Sequence, residues 1–264
     1  MIVALIDNGS LEPAAHRNLR AVAAALAKVT GTAVHPVSWK HSDRIDAAAL
    51  DGPPAWTLAP FVRAMHALGQ REFIFVPFFI SPQGAIGSAL RADLERRQTE
   101  LGGFDFAFTH GLADSETIPS IVAARIRETL TARPPARLPV VLVDHGGPSA
   151  ASATLRDRLA DRVRALLGHE IASVTPASME GAHPPLLGDI LRTPGFAASD
   201  VIVAPLFLSP GRHAGPEGDI ARICADSPAR CHVAALVGTH PLAIDALAVA
   251  LREYLSTLPV PISA

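Results

Sequence analysis

Short apolar runs alternate with amphipathic stretches along the whole chain, and the alternation fixes the expected fold class. Runs rich in Val, Ile and Phe fall near 2–7, 33–38, 73–79 and 104–108, and again near 139–144, 171–176, 200–207 and 232–237. Helical spacing falls near 13–29, 57–69, 83–100 and 115–131, and again near 150–167, 182–192, 215–225 and 241–256. Continuous apolar strands alternating with helices predict parallel sheets buried on both faces.

The order of elements repeats, and so does the wording. Ile2-Val3-Ala4-Leu5-Ile6-Asp7-Asn8-Gly9 is matched by Val140-Val141-Leu142-Val143-Asp144-His145-Gly146. Val76-Pro77-Phe78-Phe79-Ile80-Ser81-Pro82 is matched by Ala204-Pro205-Leu206-Phe207-Leu208-Ser209-Pro210. The offsets are 137 and 128, so the middle of the second copy is nine residues shorter. An internal duplication follows: an α/β chain of two similar lobes, each a four-stranded parallel sheet flanked by helices. The proline-rich stretch around Pro134-Pro135 places the division between residues 1–133 and residues 138–264.

Composition narrows the class without naming a chemistry. With 264 residues, 49% apolar and 18% charged, the chain reads as globular, with a sizeable core. A formal net charge of −2 argues against a nucleic-acid partner. No basic leader or long apolar run is evident, so neither a signal peptide nor a membrane span is expected, and the expected location is the cytoplasm. Cys224 and Cys231, the only cysteines, read as free thiols rather than a zinc framework. The sequence leaves the oligomeric state open, a homo-oligomer included.

In open parallel sheets ligands bind beyond the carboxyl ends of the strands. Three successive strand ends of the second copy deliver His145, then Glu180 with His183, then His213. Two imidazoles and a carboxylate suit a divalent ion such as Co²⁺, Fe²⁺, Ni²⁺ or Zn²⁺. By the repeat, the first copy carries Asn8 in place of His145 and Ala85 in place of His213, so it keeps the scaffold and loses the ligands. Bland readings stand beside these. Glu180 would cap the helix that follows it. His183, three residues on, would share a helical face with Glu180 as a ligand or proton shuttle, or be a surface histidine. Arg212 would bind a carboxylate or be solvated. Asp219 and Glu217 would supply favourable charge at a helix start. Asp7 and Asp144 would fix the turns after them.

Asp144-His145-Gly146, Met179-Glu180-Gly181-Ala182-His183-Pro184 and, above all, Pro205-Leu206-Phe207-Leu208-Ser209-Pro210-Gly211-Arg212-His213 with Asp219-Ile220 resemble the class II chelatases. The nearest resemblance is to the sirohydrochlorin cobaltochelatases and ferrochelatases. It spans nearly the whole chain in architecture and is specific in the second half. It implies two α/β lobes with a cleft between them and ATP-independent insertion of Co²⁺ or Fe²⁺ into a tetrapyrrole, for cobalamin or sirohaem synthesis. It also implies a metal ion as substrate and no organic cofactor. On the matching motifs His145, Glu180 and His213 are implied as metal-binding and catalytic, with His183 a further candidate ligand. Arg212, Asn8, Gly84 and Ala85 are the expected substrate contacts. A metal or tetrapyrrole carrier on the same fold is the competing expectation. The absence of Gly-rich phosphate loops argues against a nucleotide enzyme.

Overall fold

The structure is a computed structural model, and it describes residues 1–81, 88–114, 116–132, 137–147 and 150–258. Gly84 and Ala85, two of the expected substrate contacts, lie outside these residues. Among the described residues no helix is long and apolar enough to cross a membrane.

The apolar runs become two all-parallel sheets. In the first, β1 (Ile2–Asp7), β2 (Val34–Ser38), β3 (Trp56–Thr57), β4 (Glu72–Pro77) and β5 (Asp105–Phe108) lie in the order β3-β2-β1-β4-β5. In the second, β6 (Pro139–Gly147), β7 (Ser173–Gly181), β8 (Asp200–Pro205) and β9 (Arg230–Val233) lie in the order β7-β6-β8-β9. The helices are α1 (Pro13–Thr30), α2 (Leu58–Ala67), α3 (Leu90–Glu100), α4 (Thr117–Thr131), α5 (Ala150–Leu167), α6 (Leu187–Arg192), α7 (Asp219–Ala225) and α8 (Pro241–Ser256). The central strands are apolar at consecutive positions because both faces are covered. Val3 to Ile6 and Val140 to Val143 are all buried. Helix α1 shows the expected punctuation, with Pro13 in its first turn and Gly31 ending it at φ 72° with its N–H on the Ala27 carbonyl.

Four differences from the sequence expectation have physical causes. The first sheet has a fifth strand, the two-residue β3, on an edge beyond β2. It comes from the stretch in which the first copy is longer, where Ser42–Arg44 and Ala47–Leu50 form 3₁₀ turns around a small cluster of Ile45, Leu50 and Ala55. Strands β6 and β7 run on to Gly147 and Gly181, so Glu180 sits in a strand and not in the loop after it. Glycines 146, 147 and 181 permit this by taking φ of 83°, 139° and 107°. The helix expected from 182 begins only at Leu187, because Pro184-Pro185 lacks backbone donors and disfavours helical residues before it. Glu180 therefore caps no helix, and the helical pairing of Glu180 with His183 does not form.

The fourth difference concerns the units. One compact unit comprises Met1–Ser115 with Pro241–Ala264, and the other comprises Glu116–His240. Helix α8, last in the chain, packs on α1, while α4 packs on α5. The sequence division at 133–138 tracks the repeat. The compact units instead follow the apolar faces of α4 and α8, whose partners amphipathic spacing does not specify.

Candidate metal centre

In the second sheet β6 is flanked by β7 and β8, so the chain leaves its two edges in opposite directions from that point. The carboxyl edge at such a reversal is where open α/β sheets hold ligands. His145 lies on β6, Glu180 on β7, and His213 in the loop from β8 to α7.

Geometry makes His145 the hub. Its Nε2 is 3.7 Å from Glu180 Oε1. Its ring meets the His213 ring edge-on, with centroids 4.6 Å apart and planes at 88°. The strand ladder places these groups, since Gly146 pairs with Glu180 and Gly147 with Gly181. The chains approach so closely that a Cβ at Gly146 would stand 1.8 Å from the Glu180 carbonyl oxygen. Nδ1 of His145 faces the Gly146 carbonyl at 3.2 Å. A carbonyl only accepts, so in the neutral ring the proton belongs on Nδ1 and Nε2 is the nitrogen open to an ion.

His213 is held from behind. Its side chain is 20% exposed, against 50% for His145 and 62% for Glu180. Nδ1 lies 2.7 Å from Asp219 Oδ2. The approach is off the N–H direction, so buried Nδ1 has no aligned acceptor and the contact is electrostatic. Asp219 also attracts Arg222 at 3.3 Å and Arg212 at 3.7 Å. The loop is pinned to the start of α7, where the N–H groups of Asp219 and Ile220 donate to the carbonyls of Arg212 and His213. Gly218 permits this closure, since a Cβ there would lie 2.7 Å from the His213 carbonyl oxygen.

Among the described residues no three His, Cys, Asp or Glu side chains enclose an ion as they stand. Edge-on imidazoles have to rotate before both can reach one ion at about 2.0–2.1 Å. His145, Glu180 and His213 thus form a loose, partly exposed group with lone pairs to spare. The other candidates are less central. His183 is half-buried, and its carbonyl accepts from Arg156 Nη1 at 3.2 Å. Arg212 is 78% exposed, with Asp219 beside it. Asn8, in the first unit, is exposed at the end of β1, and its carbonyl accepts from the Lys40 N–H.

Sequence reasoning missed the support beneath the site. Arg156 is 2% exposed and donates to Ser178 Oγ at 2.6 Å, and Ser178 Oγ donates to Asp144 Oδ1 at 2.6 Å. Burial pushes the Asp144 carboxyl up, while Ser178 and the Arg156 charge pull against it. Asp144 therefore ties β6 to β7 one residue before His145. An arginine at helical spacing on α5 gives no sequence sign of its burial. Asp219 was legible only as charge at a helix start.

Comparison with known protein families follows the sequence repeat and not the compact units. Residues 139–254 match the CbiX family. Among curated protein sequences, none matches the chain. Solved structures match over nearly its full length at low identity. SirB from Bacillus subtilis with Fe³⁺ is 15% identical, with a TM-score of 0.67, covering 96% of this chain and 95% of that one. CbiX, the terminal enzyme for biosynthesis of siroheme in denitrifying bacteria, is 19% identical with a TM-score of 0.65, covering 98% and 99%. The sirohydrochlorin chelatase SirB from Bacillus subtilis subspecies spizizenii in complex with cobalt is 16% identical with a TM-score of 0.60, covering 96% and 95%.

Proposed function

We propose that this chain, whose residues 139–254 match the CbiX family, is a class II chelatase that inserts Co²⁺ or Fe²⁺ into sirohydrochlorin or a close tetrapyrrole without ATP. The observation that carries the reading is the contact of His145 with both Glu180 and His213 at the carboxyl edge of the second sheet. The fold and the names of the structural neighbours support it: one is a sirohydrochlorin chelatase in complex with cobalt, another is SirB with Fe³⁺.

Insertion has two requirements. The incoming ion must exchange water for macrocycle nitrogens, and two pyrrole N–H protons must leave. The Nδ1 of His145 faces a carbonyl and that of His213 lies beside the Asp219 carboxylate, so Nε2 is the nitrogen each ring presents to an ion. Glu180 adds negative charge and a proton acceptor at the exposed side of the group. A three-residue site that does not close around the ion favours its release to the macrocycle. Arg212 is the proposed partner of a substrate carboxylate, since the guanidinium fork suits that shape. Asn8, Gly84 and Ala85 are the proposed substrate contacts from the first half, and His183 is a proposed further ligand or proton carrier.

Purified protein is expected to speed Co²⁺ or Fe²⁺ insertion into sirohydrochlorin, followed by the absorbance change of the macrocycle. Binding of the macrocycle with no rate above the spontaneous one would make the protein a carrier.

A further inference from the structure

The two halves repeat each other closely at one place, and there the charge is inverted. A Cβ at Gly146 would lie 1.8 Å from the Glu180 carbonyl oxygen and 2.9 Å from Ser178 Cβ. A Cβ at Gly9 would lie 1.7 Å from the Lys40 carbonyl oxygen and 3.1 Å from Ser38 Cβ. The ladders agree, since Asp144 pairs with Ser178 and Asp7 with Ser38. One residue further on, both chains turn through positive φ, at 71° for His41 and 107° for Gly181. Lys40 is therefore the counterpart of Glu180, as Asn8 is of His145. An ammonium stands where the second unit has a carboxylate, and a carboxamide where it has an imidazole. Both changes remove affinity for a cation and supply N–H donors for an anion.

Lys40 is held ready for this. Its Nζ lies 3.8 Å over the Trp39 ring. Trp39 is buried, its indole N–H donating to Asp93 Oδ2 at 3.0 Å, and Arg97 pairs with Asp93 at 3.0 Å. The ammonium thus rests on a fixed platform while the side chain reaches solvent, beside exposed Asn8. We propose that the carboxyl edge of β1 and β2 is a carboxylate-binding site built on Lys40, its ligands the acid side chains of the tetrapyrrole. The proposal rests on the chelatase reading for the ligand's identity.

The test uses the full chain and two water-soluble porphyrins of opposite charge, an octacarboxylate and a tetracation, titrated by fluorescence quenching. Metal insertion into sirohydrochlorin is assayed in parallel. Lys40→Gln is expected to weaken the octacarboxylate about tenfold and Lys40→Glu further, while Lys40→Arg stays within about twofold of wild type. None of the three should weaken the tetracation. Wild-type affinity of Lys40→Gln for the octacarboxylate overturns the proposal, as does equal weakening of both porphyrins. If that happens while wild type still metallates sirohydrochlorin, the carboxylate site alone falls. If wild type neither binds the octacarboxylate nor metallates sirohydrochlorin, the chelatase reading falls and this proposal with it.

Discussion

Asp219 Oδ2 lies 2.7 Å from Nδ1 of His213, on the side of the ring away from the one needed for a metal. A carboxylate behind an imidazole favours one orientation of the ring, with the far nitrogen turned outward. Asp219→Asn is expected to weaken Co²⁺ binding about 10- to 100-fold, with the melting temperature nearly unchanged. Calorimetric titration reads the first quantity and thermal unfolding the second. Asp219 acts through His213, so Asp219→Glu should restore part of the affinity, an outcome that a purely helix-stabilising residue would not give.

His213→Ala should abolish metal insertion, while His110→Ala should leave most of it. His110 is exposed after β5, outside the His145 group. Equal loss from the two variants would remove the assignment of the site to the second unit.

Arg156 is a buried cation that pairs with Asp157 on its own helix at 2.8 Å and reaches across to Ser178 and the His183 carbonyl. Removing it leaves Asp144 and Ser178 without their counterpart. Arg156→Met is expected to cost about 3–5 kcal/mol in urea unfolding, because an uncompensated carboxyl remains in the interior. Asp144→Asn in the same chain should recover part of that cost, since the two groups share one network. Strict additivity of the two substitutions would mean that the network is not coupled.

Asp7 is the counterpart of Asp144 but has Leu19 where the second unit has Arg156, by the 137-residue offset. Burial pushes its carboxyl from 3.8 up to about 6, with Ser38 and the Gly9 backbone only partly opposing. Oδ1 is buried with no hydrogen-bond partner. The folded state therefore holds a proton that the unfolded chain releases. The group's contribution is fully present below about pH 4 and is lost as pH rises through about 6, at a cost of at most ~3 kcal/mol. Asp7→Asn should raise the melting temperature at pH 8 much more than at pH 4. An equal shift at both would show that Asp7 does not titrate in this range.

Hydrogen bonds from Cys224 and Ser227 pull the Cys231 thiol down, while Cys224 is pushed up by the same contact. One thiol of the pair should therefore react with iodoacetamide near neutral pH much faster than a free cysteine, and Cys231→Ser should remove that fast phase. Persistence of the fast phase in Cys231→Ser would place the reactive thiolate elsewhere.

What the sequence made legible was whatever periodicity and strand-end position determine. The apolar runs located the strands because parallel strands are buried on both faces, and the repeat located His145 and His213. Three features stayed hidden for different reasons. Lys40 pairs structurally with Glu180 at a spacing of 140, not 137, since a three-residue shift between β1 and β2 moves the register. Reading His183 on a helix failed because Pro184-Pro185 outweighs the spacing around it. The buried role of Arg156 depends on which face of α5 meets β7, and an arginine gives no hint of that.

The return of α8 to the first unit has a consequence for synthesis. The first sheet emerges from the ribosome before residues 241–256, so α1, packed on β1 and β2, lacks its helical partner α8 until they appear. Residues 116–240 are contiguous and can close on themselves first. The half that begins the chain is thus the half that finishes folding last, and a ribosome stalled before residue 241 would hold a completed second unit tethered to an unfinished one.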